Sequence, residues 1–520
     1  GTTFPGMPAG ALQCGGNSEA GGPNSTAVGE GATATTTGGF GFATALGNTA
    51  SAQGTSATAL GNSASVTNDF STAVGTLSTS SGFVSSSFGQ ESVASGDFST
   101  ALGALSVAQG DNSIAIGAHQ FIAGGGALGD DSIAIGVGAL AGADRTTTLG
   151  HFASASAVNA TALGHGAVAS GTFTTATGSN STASGNASTA VGVNSSAETL
   201  RASAVGFGAR ATGEQAQALG SLALADGNQA TAVGLRARAR GSFSTATGGQ
   251  SRAMGNATVA NGYNSQANSF LSSAIGFGAN VTVAGAEGTA VGARTLVSGT
   301  FATAVGTSSR ATTNGATAVG WGSFSTGELA TAIGSSAGAS GDFSTALGNS
   351  ANASADGASA LGWGSFATSA NATAVGSSAG ASSTNTTAVG NSANASADGA
   401  SAFGFGSFAI AANTTALGSS AGASAENATA VGNSANASAN GASAIGFGSF
   451  ATSANATALG SSAGASGANS TAVGNSVNAS GNNATAIGQQ SAATNNGSTA
   501  IGYQAQTTMD NQIVLGTAAE

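Results

Sequence analysis

The sequence has no lysine, one cysteine, three prolines and few charged residues. Nine arginines supply all of its basic side chains, and 20 acidic residues outnumber them, so the net charge is −11. Nucleic acids bind to surfaces dense in cationic side chains, because their phosphates must be neutralised. The scarcity of positive charge therefore argues against a nucleic-acid partner.

Further absences concern disulfides, membranes and targeting. The lone cysteine, Cys14, excludes an intramolecular disulfide. No apolar run approaches the roughly 18 residues of a membrane-spanning helix, so we expect no direct membrane insertion by this segment. The opening residues carry neither the positive charge nor the apolar stretch of a signal peptide. We therefore expect a mature or excised piece of a longer chain.

Glycine, in contrast, is abundant and regularly spaced. A glycine that ends the string Ala-(Val/Ile/Leu)-Gly, or a close variant, recurs every 14 residues through most of the chain. There are 35 such anchor glycines, starting at Gly29, and the period breaks only within residues 30–46, 118–135 and 277–291. A flexible linker would not keep such a register. The period is typical of a solenoid, in which each turn stacks on its neighbours.

The residues around each anchor glycine, taken as position 0, predict a thin β-roll. Position −2 is Ala in 32 of the 35 repeats, and position −1 is Val, Ile, Leu or Phe in 32 of 35. Neighbouring side chains of a strand point to opposite sides, and so short a turn encloses little space. We therefore predict that Ala at −2 and the small residues at +3 and +5 point inward, with the larger −1 residues outside. Positive φ angles are expected at the +7 glycines and at Asn in positions −5 or +1.

The outward column at −1 is too apolar to remain in water. Each aliphatic side chain would stabilise the protein by roughly 1.5–3 kcal/mol if fully buried, and soluble monomers rarely expose long apolar strips. Only Thr177, Thr247 and Asn261 interrupt the column with polar groups. We therefore expect other copies of the chain to cover it.

The repeated strings match a known pattern. They include NSTAVG at 24–29, DNSIAIGAH at 111–119, NATAVGNSANAS at 427–438 and NNATAIG at 482–488. These strings resemble the SVAIGxxSxAxG head repeat of the YadA-like trimeric autotransporter adhesins, and the resemblance covers about 24–516. It implies an all-β, left-handed parallel β-roll and a homotrimer with the −1 column on its axis. It also implies display on the surface of a Gram-negative bacterium, anchored through C-terminal regions that this sequence does not contain.

The repeat also predicts how the chain is divided. Residues 1–22 are expected to be an irregular N-terminal segment, residues 23–510 the repetitive β-roll head, and residues 511–520 the last turn leading toward a neck or stalk. Within the head, about 315–468 carry a longer repeat of 42 residues made of three turns.

Aromatic residues at two positions of the 42-residue repeat form the first candidate binding surface. Trp or Phe follows the anchor glycine at +1, and Phe occupies +4. The residues are Trp321, Phe324, Trp363, Phe366, Phe405, Phe408, Phe447 and Phe450. Strand alternation predicts that they form an outward ridge able to stack on sugars or grip apolar protein surface. Alternatively, each pair clamps a small-residue corner of the fold.

Arginines form the second candidate surface, because six of the nine lie between residues 201 and 252. Arg210, Arg238 and Arg252 all occupy +4, and the last two are on neighbouring turns. One interpretation is an outward cationic ladder for sulfated or sialylated glycans. The alternative is scattered, solvated charge, since stacked like charges destabilise a sheet unless an anion bridges them.

No group of residues indicates catalysis or metal binding. The sequence has no Ser/His/Asp group at a strained turn, no cluster of carboxylates and no dinucleotide-binding motif. His151 and His165 lie one turn apart and His119 is separate, without the acidic or thiol companions of a metal site. We therefore predict neither an enzyme nor a cofactor.

Three functions are compatible with these patterns. The first is an adhesin head that attaches to host extracellular-matrix protein, glycan, cells or surfaces through many weak contacts. The second is an ice-binding solenoid, because a Thr column at −3, with Thr331 and Thr345 as examples, lies beside the aliphatic column. The third is a segment of a trimeric phage fibre, without a bacterial anchor. Ice binding needs the Thr face open to water, whereas an adhesin buries it at the trimer axis.

Overall fold

The computed structural model describes residues 6–36, 41–117 and 125–516. The chain divides into two compact units, Gly1–Asn264 and Ser265–Glu520. Each unit is a parallel β-solenoid, and no helix occurs among the described residues. The solenoid that the 14-residue period predicts is confirmed.

Each described turn up to Gly488 contributes two short strands, and the turn around Gly502 has a single β-bridge at Gln506 in place of the second one. The A strand covers positions −3 to −1, as in Thr429–Val431, and the B strand covers +4 and +5, as in Asn436–Ala437. The described A strands all keep these bounds, the first being Leu12–Cys14 and the last Ile513–Leu515. Three B strands have other bounds: Thr33–Thr35, Ser51–Gln53 and Gly126–Ala127.

Strands of successive turns pair in parallel, with equal positions opposite each other. In the second unit, Val431 lies opposite Ile445 between two A strands, and Asn436 lies opposite Phe450 between two B strands. Each unit therefore contains an A sheet and a B sheet. A residue type that recurs at one position of the repeat becomes a column on one of these sheets.

The space between the two sheets is filled almost entirely by small side chains. In the turn around Gly432, Ala428, Ala430, Ala435 and Ala437 are all buried. These residues occupy positions −4, −2, +3 and +5. The predicted inward columns at −2, +3 and +5 are confirmed, and a fourth inward column of Ala, Ser and Thr lies at −4. The largest fully buried side chains are valines, which shows how thin the interior is.

Close approach of successive turns explains the strict period of the anchor glycines. At Gly362 the φ angle is +133°, a region that residues with a side chain rarely adopt. An added Cβ would lie 2.5 Å from the carbonyl oxygen of Gly376 in the next turn. Both the torsion and the space therefore exclude a side chain at position 0.

The other tight corners lie at −5 and +2, where side chains are tolerated. Asn427 at −5 and Ser434 at +2 have φ angles of +57° and +55°. The predicted corner for Asn at −5 is confirmed, but Asn433 at +1 has no positive φ. The prediction for the +7 glycines is wrong except at Gly54, because these residues avoid the left-handed region. They are small for a different reason: at Gly82, for example, a Cβ would collide with the backbone of the next turn.

Two places depart from the regular pattern. Strands Leu12–Cys14 and Glu19–Ala20 lie within the segment 1–22 that the sequence predicts as irregular, and Leu12–Cys14 pairs with Thr26–Val28. The solenoid therefore begins earlier than predicted, at a turn that lacks the Ala-aliphatic string of the repeat. Within 277–291 the extra residues form two tight turns that leave Val283 79 % exposed. Parts of the other two breaks lie outside the described residues.

Candidate binding surfaces

The outer side of the A sheet carries the aliphatic column at −1, as the sequence predicts. Side chains along it are half-buried or exposed, and Leu417 is 48 % exposed. In the first unit, Thr247 lies opposite Val233 of the preceding A strand and Asn261 of the following one. The polar residues Thr247 and Asn261 are therefore part of the same column as the aliphatic side chains. Each unit therefore presents a strip of apolar side chains that no other part of that unit covers.

The aromatic ridge lies in the second unit. We use this name for the eight aromatic residues of the 42-residue repeat: Trp321, Phe324, Trp363, Phe366, Phe405, Phe408, Phe447 and Phe450. The four +1 side chains are 63–64 % exposed, and the four +4 side chains are 37–41 % exposed. Their outward orientation agrees with strand alternation. Three turns at about 4.8 Å each separate successive pairs by about 14 Å.

The corner that carries each +1 aromatic is held in a defined shape. After Trp321 the backbone enters the left-handed region at Gly322, with φ +63°. The Ser323 hydroxyl then donates a hydrogen bond of 3.1 Å to the carbonyl oxygen of Gly320. The same bond recurs at Ser365, Ser407 and Ser449. The four +1 aromatics are thus presented in the same way by repeated corners.

The +4 phenylalanines pack differently from the +1 residues. The tip of the Phe324 ring lies over Gly338, the +4 residue of the next turn, where an added Cβ would collide with the ring. The same arrangement recurs for Phe366 with Gly380, Phe408 with Gly422, and Phe450 with Gly464. No ring contact joins Trp321 to Phe324 within the described residues. The +4 rings therefore cover strand glycines of the next turn, while the +1 side chains project into solvent.

The arginine ladder forms in part. Arg238 and Arg252 lie directly opposite each other on neighbouring B strands. Arg210 is separated from Arg238 by Leu224, and its guanidinium is 3.1 Å from the Glu198 carboxylate. The three predicted residues share one column, but only two of them are neighbours.

Both units carry exposed phenylalanines at −5 that the sequence analysis does not predict. Asn is the most frequent residue at this corner, but six turns place Phe there with φ angles of 56–59°. The residues are Phe70, Phe98, Phe173, Phe243, Phe301 and Phe343. Phe83 contacts both Phe70 and Phe98 edge to face, at 5.9 and 5.7 Å between ring centroids. The recurrence of Phe at position −5 of the repeat is visible in the sequence and would have indicated these exposed side chains.

Comparison with known families explains the repeat. A family model described as YadA head domain repeat (2 copies) matches most of the chain. The matched residues are 20–40, 42–64, 52–78, 80–106, 94–119, 127–153, 155–181, 183–209, 211–237, 225–251, 298–323, 325–351, 353–379, 381–407, 409–435, 423–449, 451–476 and 479–505. The chain belongs to the YadA head family. A search of curated proteins finds no match.

Membership of the YadA head family confirms the resemblance, and this family is associated with cell-surface trimeric autotransporter adhesins. The family repeat is a structural one, and the described residues contain no group of three or more side chains able to hold a metal ion. His151 and His165 stack with ring centroids 5.2 Å apart, whereas His119 lies outside the described residues. The described residues form strands, turns and loops, and they contain no helix that could cross a membrane.

Proposed function

We propose that this chain is the head of a homotrimeric adhesin, in which three left-handed β-rolls bury their −1 columns against one another on a common axis. The observation that carries the proposal is the apolar strip on the A sheet. An uncovered strip of that length is unfavourable in water, whereas a closed symmetric oligomer removes it from solvent.

The polar interruptions of the column fit the same arrangement. On a threefold axis, each residue at −1 meets its two symmetry copies. Thr247 and Asn261, adjacent in the column, would then form layers of three hydroxyls and three amides that can hydrogen-bond across the axis. A polar layer inside an apolar column fixes the register of the three chains, because a slipped chain would leave these groups unpaired.

The proposed activity is attachment of the bacterium to host extracellular-matrix protein, glycan, cells or other surfaces. The head would stand on the outer surface of a Gram-negative cell, held by regions C-terminal to it. The aromatic ridge is the proposed contact surface, because its +1 side chains are exposed and identical corners repeat them. Many weak contacts on three linked chains raise avidity by roughly 10²–10⁴ without a strong single site.

Attachment of a quadruple variant tests the ridge. Trp321, Trp363, Phe405 and Phe447 are replaced together by Ser, the residue that the chain itself places at +1 in the following turn, as at Ser335. Adhesion to immobilised matrix proteins and glycans should weaken while the mass of the assembly stays the same. Single substitutions should show graded loss, because avidity is spread over the copies.

A matched control removes four exposed aromatics elsewhere. Phe173, Phe243, Phe301 and Phe343 at −5 are replaced by Asn, the most frequent residue of that corner. This control should adhere like the unmodified chain. Normal adhesion by the quadruple ridge variant would show that the ridge serves the fold and that attachment lies elsewhere.

The Thr column at −3 favours one second candidate. Thr331 and Thr345 lie opposite each other in the A sheet, beside Ile333 and Leu347 of the −1 column. A flat face of this kind, left open to water, would suit ice. Thermal hysteresis produced by a monomeric chain would support ice binding and contradict the trimer, since the trimer buries this face.

A further inference from the structure

A groove of about 270 Å³ lies on the outer side of the B sheet in the first unit. Its charged walls are Arg210, Arg236 and Arg238, and Leu222 and Leu224 form an aliphatic floor between them. We propose that this groove binds an anionic polysaccharide, with arginines on the sulfate or carboxylate groups and leucines under the sugar rings. The groove lies outside the aromatic ridge and does not depend on the adhesin proposal.

Stacking of three successive turns builds the groove. Arg210, Leu224 and Arg238 are consecutive in the +4 column of the B sheet. Position +2 contributes Leu222 from the middle turn and Arg236 from the next one, both at left-handed corners. The +2 and +4 columns thus enclose a trough whose centre is aliphatic and whose sides are cationic.

The charges of the groove are only partly neutralised by the protein. Arg210 pairs with Glu198, and Arg240 pairs with Asp226 at 3.5 Å. Within the described residues, Arg236 and Arg238 have no ion-pair partner. Arg238 also lies opposite Arg252 in the sheet, and like charges in that position repel. An anion bound to Arg238 in the groove would lower this repulsion, which favours anion binding there.

The residue type and the shape of the groove favour a polysaccharide. Guanidinium groups present a planar fork that matches the oxygens of sulfate and carboxylate groups. An aliphatic floor suits the C–H face of a pyranose ring. A nucleic acid would need a more extended cationic field, and the chain as a whole carries a net charge of −11.

Direct binding of defined oligosaccharides to the whole chain tests the proposal. The probes are a heparin oligosaccharide, its desulfated form, a hyaluronan oligosaccharide and a DNA duplex of equal charge. The groove variant is Arg236→Ser with Arg238→Ser. Serine already occupies these positions in other turns, at Ser336 for +2 and Ser196 for +4. The backbone of the variant is therefore expected to be unchanged.

A matched control removes the same charge from the same two positions elsewhere. Arg294 occupies +2 and Arg310 occupies +4, and both are exposed, so the control is Arg294→Ser with Arg310→Ser. The unmodified chain and the control should bind at least one of the two anionic saccharides. The groove variant should bind it about tenfold more weakly and with less dependence on salt.

The probes also distinguish which anionic group of the saccharide the groove recognises, sulfate or carboxylate. Binding of heparin but not of its desulfated form would support sulfate as the recognised group, and binding of hyaluronan would support carboxylate. Equal loss in both variants would overturn the proposal, because it would reflect overall charge only. Absence of saccharide binding, or equally tight groove-dependent binding of the DNA duplex, would also overturn it.

Discussion

Two glycines of one turn should respond very differently to substitution. Gly362 is an anchor with φ +133°, and Gly364 lies two residues later with φ +60°. A Cβ on Gly362 would lie 2.5 Å from the backbone of the next turn, whereas a Cβ on Gly364 would lie 3.9 Å from its nearest neighbour. We therefore predict that Gly362→Ala is strongly destabilising and that Gly364→Ser is only mildly destabilising.

The magnitudes follow from these geometries. At Gly362 the torsion costs alanine about 1–3 kcal/mol and the overlap adds about 1–3 kcal/mol, or about 2–6 kcal/mol in all. At Gly364 a side chain in the left-handed region costs about 1–2 kcal/mol, and the stiffer unfolded chain offsets about 0.4–1 kcal/mol. The net effect of Gly364→Ser should therefore be about 1 kcal/mol.

Hydrogen exchange is the suitable assay, because the turns of a solenoid open locally and global unfolding need not be two-state. Amides of the turns around Gly362 should exchange at least about 30-fold faster in Gly362→Ala, and much less so in Gly364→Ser. Equal exchange in the two variants would refute the explanation of the 14-residue period by close backbone approach.

Two further substitutions test other parts of the account. Val431→Asp should place three carboxylates near one apolar axis, which costs several kcal/mol. This variant should be more sensitive to protease than the control Asn436→Asp, which lies on the exposed B sheet. Equal protease resistance of the two variants would place the −1 column in solvent. Gly338→Ala should displace the Phe324 ring, because the new methyl group would collide with it. Backbone amides of that turn should then exchange hydrogen faster. An unchanged exchange rate would contradict the packing of the ring on this glycine.

Much of the fold follows from the sequence because a repeat amplifies weak local signals. One Ala-Val-Gly string indicates little, but its recurrence predicts parallel strands, an inward Ala column and an outward aliphatic column. The −4 column was missed because Ala, Ser and Thr alternate there without a single dominant residue. The sequence does not predict the first turn, because Leu12–Cys14 lacks the alanine that marks most other A strands.

The details of the surfaces were less predictable, since they depend on contacts between turns. The period brings Arg236 and Leu222 together at +2 of successive turns, but it does not predict that their side chains and Arg210 line one groove. The φ angle of a +7 glycine likewise cannot be read from its residue type. Glycine is needed at that position because a Cβ would collide with the backbone of the next turn, and a single repeat does not show that contact.

The mass of the assembly in dilute solution tests the central claim most directly. Sedimentation equilibrium of the whole chain should give three times the 47.9 kDa of one chain, unchanged over the range of dilution, because the −1 columns are buried against each other. A stable mass of 47.9 kDa would show that the apolar strip faces water and would contradict the trimeric adhesin head.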